Sequence, residues 1–304
     1  CTYRQKMISI LIPTYNYNVF SLVENLQKQC EIANEVYEIV VLDDASTDKK
    51  SLEENSKINL LKQCSFQALE RNIGRSKIRN LLAERANYDW LLFLDADTFP
   101  SNPEFIAKYL VTISNEASVI FGGIQYPKNN SKKFSLRHKY GSERESLPLA
   151  ERLKSPYRSF ITMGFAINKA VFEKIKFNEK LAGYGYEDSV FAYELQKNNI
   201  PLLHIDNPVI HLNLETNEAF IKKSELALQN LLNFHNTGDL DKETVKILKT
   251  YLKLKKRNLL FVMRIFFNAF KKPLLKNLNS TNPSLFLFDL YRLGYLSSLK
   301  TKDA

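Results

Sequence analysis

A chain of 304 residues with 44% apolar and 25% charged residues is globular in composition, neither disordered nor collagen-like, and long enough for one large or two small domains. Its 43 Lys+Arg against 33 Asp+Glu give a net charge of +10, which would ordinarily point to nucleic acid, a membrane surface or an anionic substrate. Thirteen of the basic residues but only two of the acids lie in 245–304, leaving 30 basic and 31 acidic residues in 1–244. A near-neutral body speaks against nucleic acid as the partner.

Cys1, Cys30 and Cys64 are odd in number and form no C-x-x-C pair, so they make neither a disulfide framework nor a zinc site, and the chain reads as cytosolic. No apolar run reaches the ~18 residues of a membrane span, and the stretch before Met7 lacks the apolar core of a secretory signal. Cys1 as first residue is read as an upstream extension or truncation, with Met7 a candidate start; the other reading is a lipid-modified terminus.

Residues 8–13 and 38–43 are continuous, β-branched runs of the buried-strand kind, and 90–95 and 119–121 read as further strands. Helices are expected over 19–30, 75–86 and 103–115, the last capped by Asn102 with Pro103 in its first turn. This alternation predicts an α/β fold with parallel strands. Residues 126–158, with nine Lys/Arg against three Glu, read as a long, partly irregular connection. A strand over 160–167, a helix over 169–175, the GYGYEDSVFAYEL segment at 183–195 and a strand over 209–212 follow, and from about 215 the chain is helical. There are no internal repeats.

In open α/β sheets ligands sit beyond the carboxyl ends of strands, which selects 14–18, 43–48 and 95–98. Asp95 and Asp97, two apart where the chain leaves a strand, can converge on one hard cation such as Mg²⁺ or Mn²⁺, although an Asp after a strand also turns the chain. Tyr15 can stack on a nucleobase or pack; Asp48 can cap a helix. Asn72, Gly74, Arg75 and Arg79 form a loop and helix start suited to phosphate, with Arg79 equally able to be a solvated helix residue.

The order ISILIPTYN, VVLDDASTD, RNIGRSKIRN, WLLFLDAD, GYGYED resembles the family 2 glycosyltransferases, nucleotide-sugar-dependent enzymes of the GT-A fold, over about residues 7–235. The resemblance, to bacterial non-processive members, implies a Rossmann-like mixed sheet flanked by helices. A nucleotide-sugar half would span 1–125, an acceptor half 126–240, and a basic amphipathic helical appendage 241–304. It implies that Pro13, Tyr15, Asp44, Arg75, Arg79 and Asp95 bind the nucleotide, with Tyr15 stacked on the base and Asp44 on the uracil edge. Asp97 would be the chief ligand of Mn²⁺ or Mg²⁺, with Asp95 near ribose and metal. Ile78, where the family usually has Ala, departs from the pattern with little consequence.

Inverting transfer needs a base opposite the leaving diphosphate. Glu187 and Asp188, after a glycine-loosened loop and at a helix start, supply carboxylates; the alternative is first-turn acids complementing the helix dipole. In the family the second acid of this pair matches the base, which assigns Asp188 to that role and Glu187 to orienting the acceptor. His211 resembles a histidine that completes the metal shell in some GT-A enzymes, though a lone His is also a common core residue; His204 is a weaker candidate. The expected activity is transfer of one sugar, from a UDP-sugar, to a glycan or lipid-linked acceptor. The alternatives are a non-catalytic binding relative or a nucleotidyltransferase, the latter lacking its glycine- and lysine-rich loop here.

In the basic tail, Leu252, Leu259, Met263, Phe266 and Phe270 recur at helical spacing among lysines and arginines. They can lie on an anionic membrane, making the protein peripheral on the inner face of the cytoplasmic membrane, or pack on the body. The 126–158 stretch is a candidate to face a lipid-linked diphosphate.

Overall fold

The computed structural model describes residues 6–113, 117–128, 131–179, 185–242 and 244–299. Strands β1 (Met7–Thr14), β2 (Val36–Asp43), β3 (Cys64–Ala68) and β4 (Trp90–Leu94) alternate with helices α1 (Phe20–Ala33), α2 (Lys49–Ser56) and α3 (Arg75–Arg85). Then come β5 (Thr98–Pro100), α4 (Phe105–Thr112), β6 (Val119–Phe121), β7 (Ile124–Gln125), and short helices α5 (Ser135–Tyr140) and α6 (Leu149–Leu153). β8 (Gly164–Asn168), α7 (Lys169–Ile175), α8 (Glu187–Lys197), β9 (Leu202–His204) and β10 (Val209–His211) precede α9 (Asn217–Thr237), α10 (Lys246–Lys256), α11 (Leu260–Leu278) and α12 (Leu285–Ser298). Two compact units result: Cys1–Pro127, Ser146–Lys180 and Glu194–Asn213 form one, and Lys128–Glu145, Leu181–Tyr193 and Leu214–Ala304 the other.

The first unit is built on a seven-stranded sheet in the order β3-β2-β1-β4-β8-β6-β9. β1 pairs in parallel with β2 and β4, β2 with β3, and β6 with β9, while β8 runs antiparallel to β4 and β6. The unbroken apolar runs have their reason in burial on both faces: all of β4, and all of β1 except Met7 and Pro13, is buried. Phe93 stacks on Phe165 and meets Phe172, both at 5.2 Å between ring centroids. Buried Ser9 is satisfied by donating to Glu38 (2.6 Å) and accepting from the Tyr88 amide (3.2 Å). Pro13 lies beyond the β1–β4 pairs, which end at Leu11 and Phe93, so its missing N–H breaks no bond of that ladder. A second sheet, β5-β10-β7, has β10 antiparallel to β5 and parallel to β7.

Some expected bounds move for local reasons. Asn102 accepts from the Glu104 amide (3.1 Å) and reaches Asn207 (3.2 Å), so it closes a turn and α4 starts only at Phe105; the expected end at 115 lies outside the described residues. The strand expected over 160–167 begins at Gly164, because Tyr157–Ser159 form a 3₁₀ turn. The 126–158 stretch is largely helical, and three of its arginines have partners within the protein. Arg137 pairs with Glu145 (3.0 Å), Arg144 with Asp289 (2.8 Å), and buried Arg152 donates to the carbonyls of Leu147, Phe121, Gly122 and Ile205.

In the second unit Phe220 and Ile221 of α9 share a core with Phe267, Leu274 and Leu278 of α11 and Phe288 and Tyr291 of α12. Leu228, Leu231 and Leu240 share another with Leu248, Tyr251 and Leu296. The boundary expected at 240 therefore falls inside this unit, and 241–304 is no separate appendage. The packed positions of α11 also differ from the expected stripe, of which Leu259 and Phe270 are 40% and 50% exposed. Among the described residues no helix is long and apolar enough to cross a membrane.

Candidate functional site

β1 and β2 finish in register at Thr14 and Asp43, so the residues that follow leave the sheet at one level. Asn16, in the left-handed region (φ 50°), ties the two strand ends together. Its side-chain oxygen accepts from the amides of Thr47 (2.8 Å) and Asp48 (3.0 Å), and its amide donates to Ser46 Oγ (2.6 Å). Asp43 accepts from the Ser46 amide (2.7 Å) and Asp48 caps α2, so both acids build the loop. Beside this frame the Tyr15 ring is 51% exposed.

Asp44 is buried. Its two oxygens accept from the amides of Ile73 (2.7 Å) and Gly74 (3.0 Å), and its carbonyl accepts from Asn72 Nδ2 (2.9 Å). Gly74 has φ 87°, which lets the chain turn into α3 while pointing that amide at Asp44. A carboxylate has about four lone-pair sites, so Asp44 keeps acceptor capacity for a ligand. Arg75, in the first turn of α3, is exposed. Arg79 is buried, its guanidinium 5.5 Å over the Phe177 ring and in an ion pair with Asp95, so the solvated-helix alternative does not hold. Burial raises the Asp95 carboxyl above its ordinary range against the pull of Arg79, and the nearby Asp97 carboxylate adds to the rise.

The antiparallel ladder of β5 and β10 places His211 opposite Thr98, the residue after Asp97. His211 Nε2 then stands 3.2 Å from Asp97 Oδ2, and the Leu212 amide bonds the Asp97 carbonyl (2.8 Å). Burial opposes ionisation of Asp97, but the His211 hydrogen bond and charge, with Arg75 adding, outweigh it and hold its carboxyl below the usual value. Among the described residues His211 Nδ1 is buried without a hydrogen-bond partner, and Tyr126 meets the ring edge-on at 5.3 Å. Adjacent donors each about 2.1 Å from an octahedral ion stand about 3 Å apart, so Oδ2 and Nε2 fit two positions around one cation. Among the described residues no cluster of three His, Cys, Asp or Glu side chains forms, so the remaining positions would fall to phosphate oxygens and water.

His204 is no ligand. Its Nε2 donates to the Pro156 carbonyl (3.1 Å), its Nδ1 faces Arg152 (3.2 Å), and burial followed by the Arg152 charge pushes its pKa down to about 4, so it is neutral at pH 7.

Glu187 and Asp188 belong to the second unit, at the start of α8. Glu187 Oε2 accepts from the Gly185 amide (2.8 Å), which commits that oxygen to the turn before the helix. Gly183 and Tyr184 of the GYGYED segment lie outside the described residues. Tyr17, Tyr126 and Arg292 were not singled out by the sequence. Tyr17 has its phenol raised by burial and then by the Asp97 charge, and the other two sit against His211 and Tyr186. Only its place two residues after Tyr15 could have hinted at the first.

Strand ends tied edge to edge, with a carboxylate–histidine pair and a buried Arg–Asp pair beside them, define an α/β protein of the nucleotide-binding kind. Residues 9–176, more than half the chain, match the sequence profile of glycosyl transferase family 2, and the chain belongs to that family. An uncharacterized glycosyltransferase of Haemophilus influenzae is 31% identical over 117 residues, 38% of this chain and 37% of its own. A dolichol-phosphate mannosyltransferase of Pyrococcus furiosus is 28% identical over 182 residues, 56% of this chain and 49% of its own. The chain thus spans about half or less of these curated relatives. Among solved structures, S. aureus TarS 1–349 in complex with UDP-GlcNAc aligns over 94% of this chain and 89% of that one (TM-score 0.52, 20% identity). The mannosyltransferase PcManGT of Pyrobaculum calidifontis, with GDP-Man and Mn²⁺, aligns over 77% and 65% (TM-score 0.54, 16% identity). At these identities the likeness is one of fold, the GT-A fold.

Replacing Arg79 by Met leaves Asp95 buried beside Asp97 without its cation and is expected to cost about 3 kcal/mol, the low end for a broken buried pair because Asp95 keeps some exposure. Adding Asp95→Asn should recover most of it. Urea unfolding of Arg79→Met, Asp95→Asn and the double variant checks this, and single losses that simply add in the double variant would mean that the pair is not coupled.

Proposed function

We propose that the protein transfers one sugar from a nucleotide-sugar donor, a UDP-sugar first among the candidates, to a glycan or lipid-linked acceptor hydroxyl with inversion at the anomeric carbon. The observation that carries this reading is the 3.2 Å pairing of His211 with Asp97 directly beyond the buried β4 strand, in a chain of glycosyl transferase family 2. Asp97 and His211 would hold a divalent cation, whose chemistry is to offset the charge on the diphosphate; an imidazole nitrogen in the set favours Mn²⁺ over Mg²⁺. Asp95, held by Arg79, would lie beside the ribose and that cation. Pro13 lies near the end of the strand before Tyr15, Tyr15 offers its exposed face to the base, Asp44 its spare lone pairs to the base edge, and Arg75 a positive charge to phosphate.

In the transfer, the acceptor oxygen forms a bond to the anomeric carbon as the bond from that carbon to the diphosphate oxygen breaks. The acceptor proton passes to the Asp188 carboxylate, and the nucleoside diphosphate leaves with the bonding electron pair. Glu187 serves mainly to hold the turn that presents Asp188.

The second unit carries the contact with the acceptor's environment. From Val245 to Phe288 the sequence has ten Lys/Arg and no acid. On α11, Phe261, Val262 and Ile265 are 67%, 59% and 55% exposed, while Phe267, Leu274 and Leu278 pack inward. An outward apolar face in so cation-rich a stretch fits an anionic lipid surface, each cation near it adding about 1 kcal/mol.

Asp188→Asn is expected to lower kcat about 10²–10⁴-fold with UDP affinity unchanged, since it removes a proton acceptor used only in the transition state. UDP release from UDP-GlcNAc, UDP-glucose and GDP-mannose, with water as acceptor, gives the rate. Calorimetry gives the affinity, and a parallel loss of UDP binding would defeat the assignment. Asp97→Ala should abolish the Mn²⁺-dependent part of UDP binding; unchanged affinity would remove Asp97 from the ligand set. Flotation with anionic liposomes at low salt should carry the wild type but not Phe261→Ser/Ile265→Ser, and equal flotation of both would rule out this face.

A further inference from the structure

Gly185 and Tyr186, the residues immediately before the Glu187–Asp188 pair, have φ 101° and 67°. Two consecutive left-handed residues are uncommon, and a bulky aromatic in that region persists only where its surroundings hold it. The second unit supplies those surroundings. Gly185 lies so close to α9 that a Cβ on it would be 2.3 Å from Ala227 Cβ, so only glycine fits the turn. The Tyr186 carbonyl accepts from the Val190 amide (2.9 Å), the first bond of α8. At the other end of the same residue, Tyr186 Oη accepts from Arg292 Nη2 (2.8 Å), on α12 near the end of the chain.

Arg292 is itself immobilised. Its guanidinium lies 5.4 Å over the Phe288 ring and 6.0 Å over Tyr140, and its Nη1 is 3.6 Å from Asp289 one turn back. α12 is tied in turn to α9, the helix under Gly185: Tyr291 donates to Glu225 (2.6 Å) and Gln229 donates to Tyr295 (2.8 Å). Burial raises the Tyr186 phenol above its ordinary value, so it stays a neutral hydroxyl whose lone pair is available to Arg292. The turn is therefore clamped from both sides, by glycine contact at α9 and by a charge-assisted hydrogen bond from α12.

We propose that Tyr186 and Arg292 are positioning residues for the sugar transfer, the C-terminal helix α12 fixing the direction of Asp188 through Tyr186. The proposal rests on the assignment of Asp188 as the base. Asp188 is two residues beyond Tyr186, and the backbone torsions of Tyr186 set where the first turn of α8 points. If the Tyr186 ring is released, that residue can relax toward negative φ and swing the carboxylate; a displacement of about 1 Å at a reacting group costs on the order of 10²-fold in rate.

The test uses the full chain and five variants: Tyr186→Phe, which removes one oxygen and keeps the ring; Arg292→Ala; Arg292→Lys; Asp188→Asn; and Tyr186→Phe combined with Asp188→Asn. The rate is UDP release with water as acceptor, from whichever donor of the panel above the wild type turns over, and UDP affinity is measured by calorimetry. Tyr186→Phe and Arg292→Ala should each lower kcat by about 10–100-fold, with donor KM and UDP affinity within threefold of wild type, and Lys at 292, which keeps a charged donor, should recover part of the loss. In the Asp188→Asn background, Tyr186→Phe should have no further effect, because it acts only through that carboxylate. Hydrogen exchange at the amides of 187–190 should quicken in Tyr186→Phe. A folded Tyr186→Phe enzyme with wild-type kcat, beside an impaired Asp188→Asn, overturns the positioning role and leaves the base in place. The same fractional loss from Tyr186→Phe in the Asp188→Asn background also overturns it. An Asp188→Asn enzyme of wild-type rate removes the base assignment and this proposal together.

Discussion

β4 is buried along its whole length and is followed at once by Asp95 and, two residues later, Asp97. Carboxylates so close to a low-dielectric interior need partners, and the elements around them are arranged to provide those partners. α3 delivers Arg79 to Asp95, with the guanidinium covered by Phe177, and the β5–β10 ladder delivers His211 to Asp97. The two pairs push the acids in opposite directions. Asp95 is held toward its protonated form by burial and Asp97 toward its ionised form by His211, a divergence typical of neighbouring groups with separate roles.

The other strand ends are assembled in the same economical way, by backbone amides meeting side-chain oxygens. Asn16 joins the loop after β1 to the loop after β2, and Asp44 joins the latter to the segment before α3. The acids after β2 were legible as a group but not by task. Asp43 and Asp48 are used up in loop and cap, whereas buried Asp44 gathers two amides and keeps lone pairs in reserve. Burial and partners separate these acids, and neither follows from residue type.

The C-terminal third carries a different lesson. Its charge singles it out in the sequence, and charge alone makes it look appended. Packing contradicts that reading: α9 shares one core with α11 and α12 and another with α10, so the boundary drawn from composition cuts through both. Arg292 apart, most of its cations stay outside because ionised groups remain in water, and a single apolar stripe would have sufficed to dock α11. α11 has apolar residues on more than one side, so periodicity could not tell the packed positions, Phe267, Leu274 and Leu278, from the exposed Phe261, Val262 and Ile265. The same unit holds the turn before Asp188 through Ala227 and Arg292, contacts with no signature in spacing.

Unbroken apolar runs, β-branched in β1 and β2 and built of Trp, Leu and Phe in β4, determined by themselves that these strands form a buried α/β sheet, since strands covered on both faces need no polar alternation. The ordered motifs determined the family and the residues at the strand ends. Strands of two to five residues such as β3, β5, β7 and β9 carry too few side chains for a period and exist because a neighbour completes their hydrogen bonds. Only the tertiary structure decided that His211 meets Asp97 across 114 positions, that Arg79 turns inward while His204 is spent on Arg152, and that α12 reaches the turn before Asp188. Each of these depends on which backbone groups pair over long separations, a choice set by the packing of the whole unit and by no local stretch of residues.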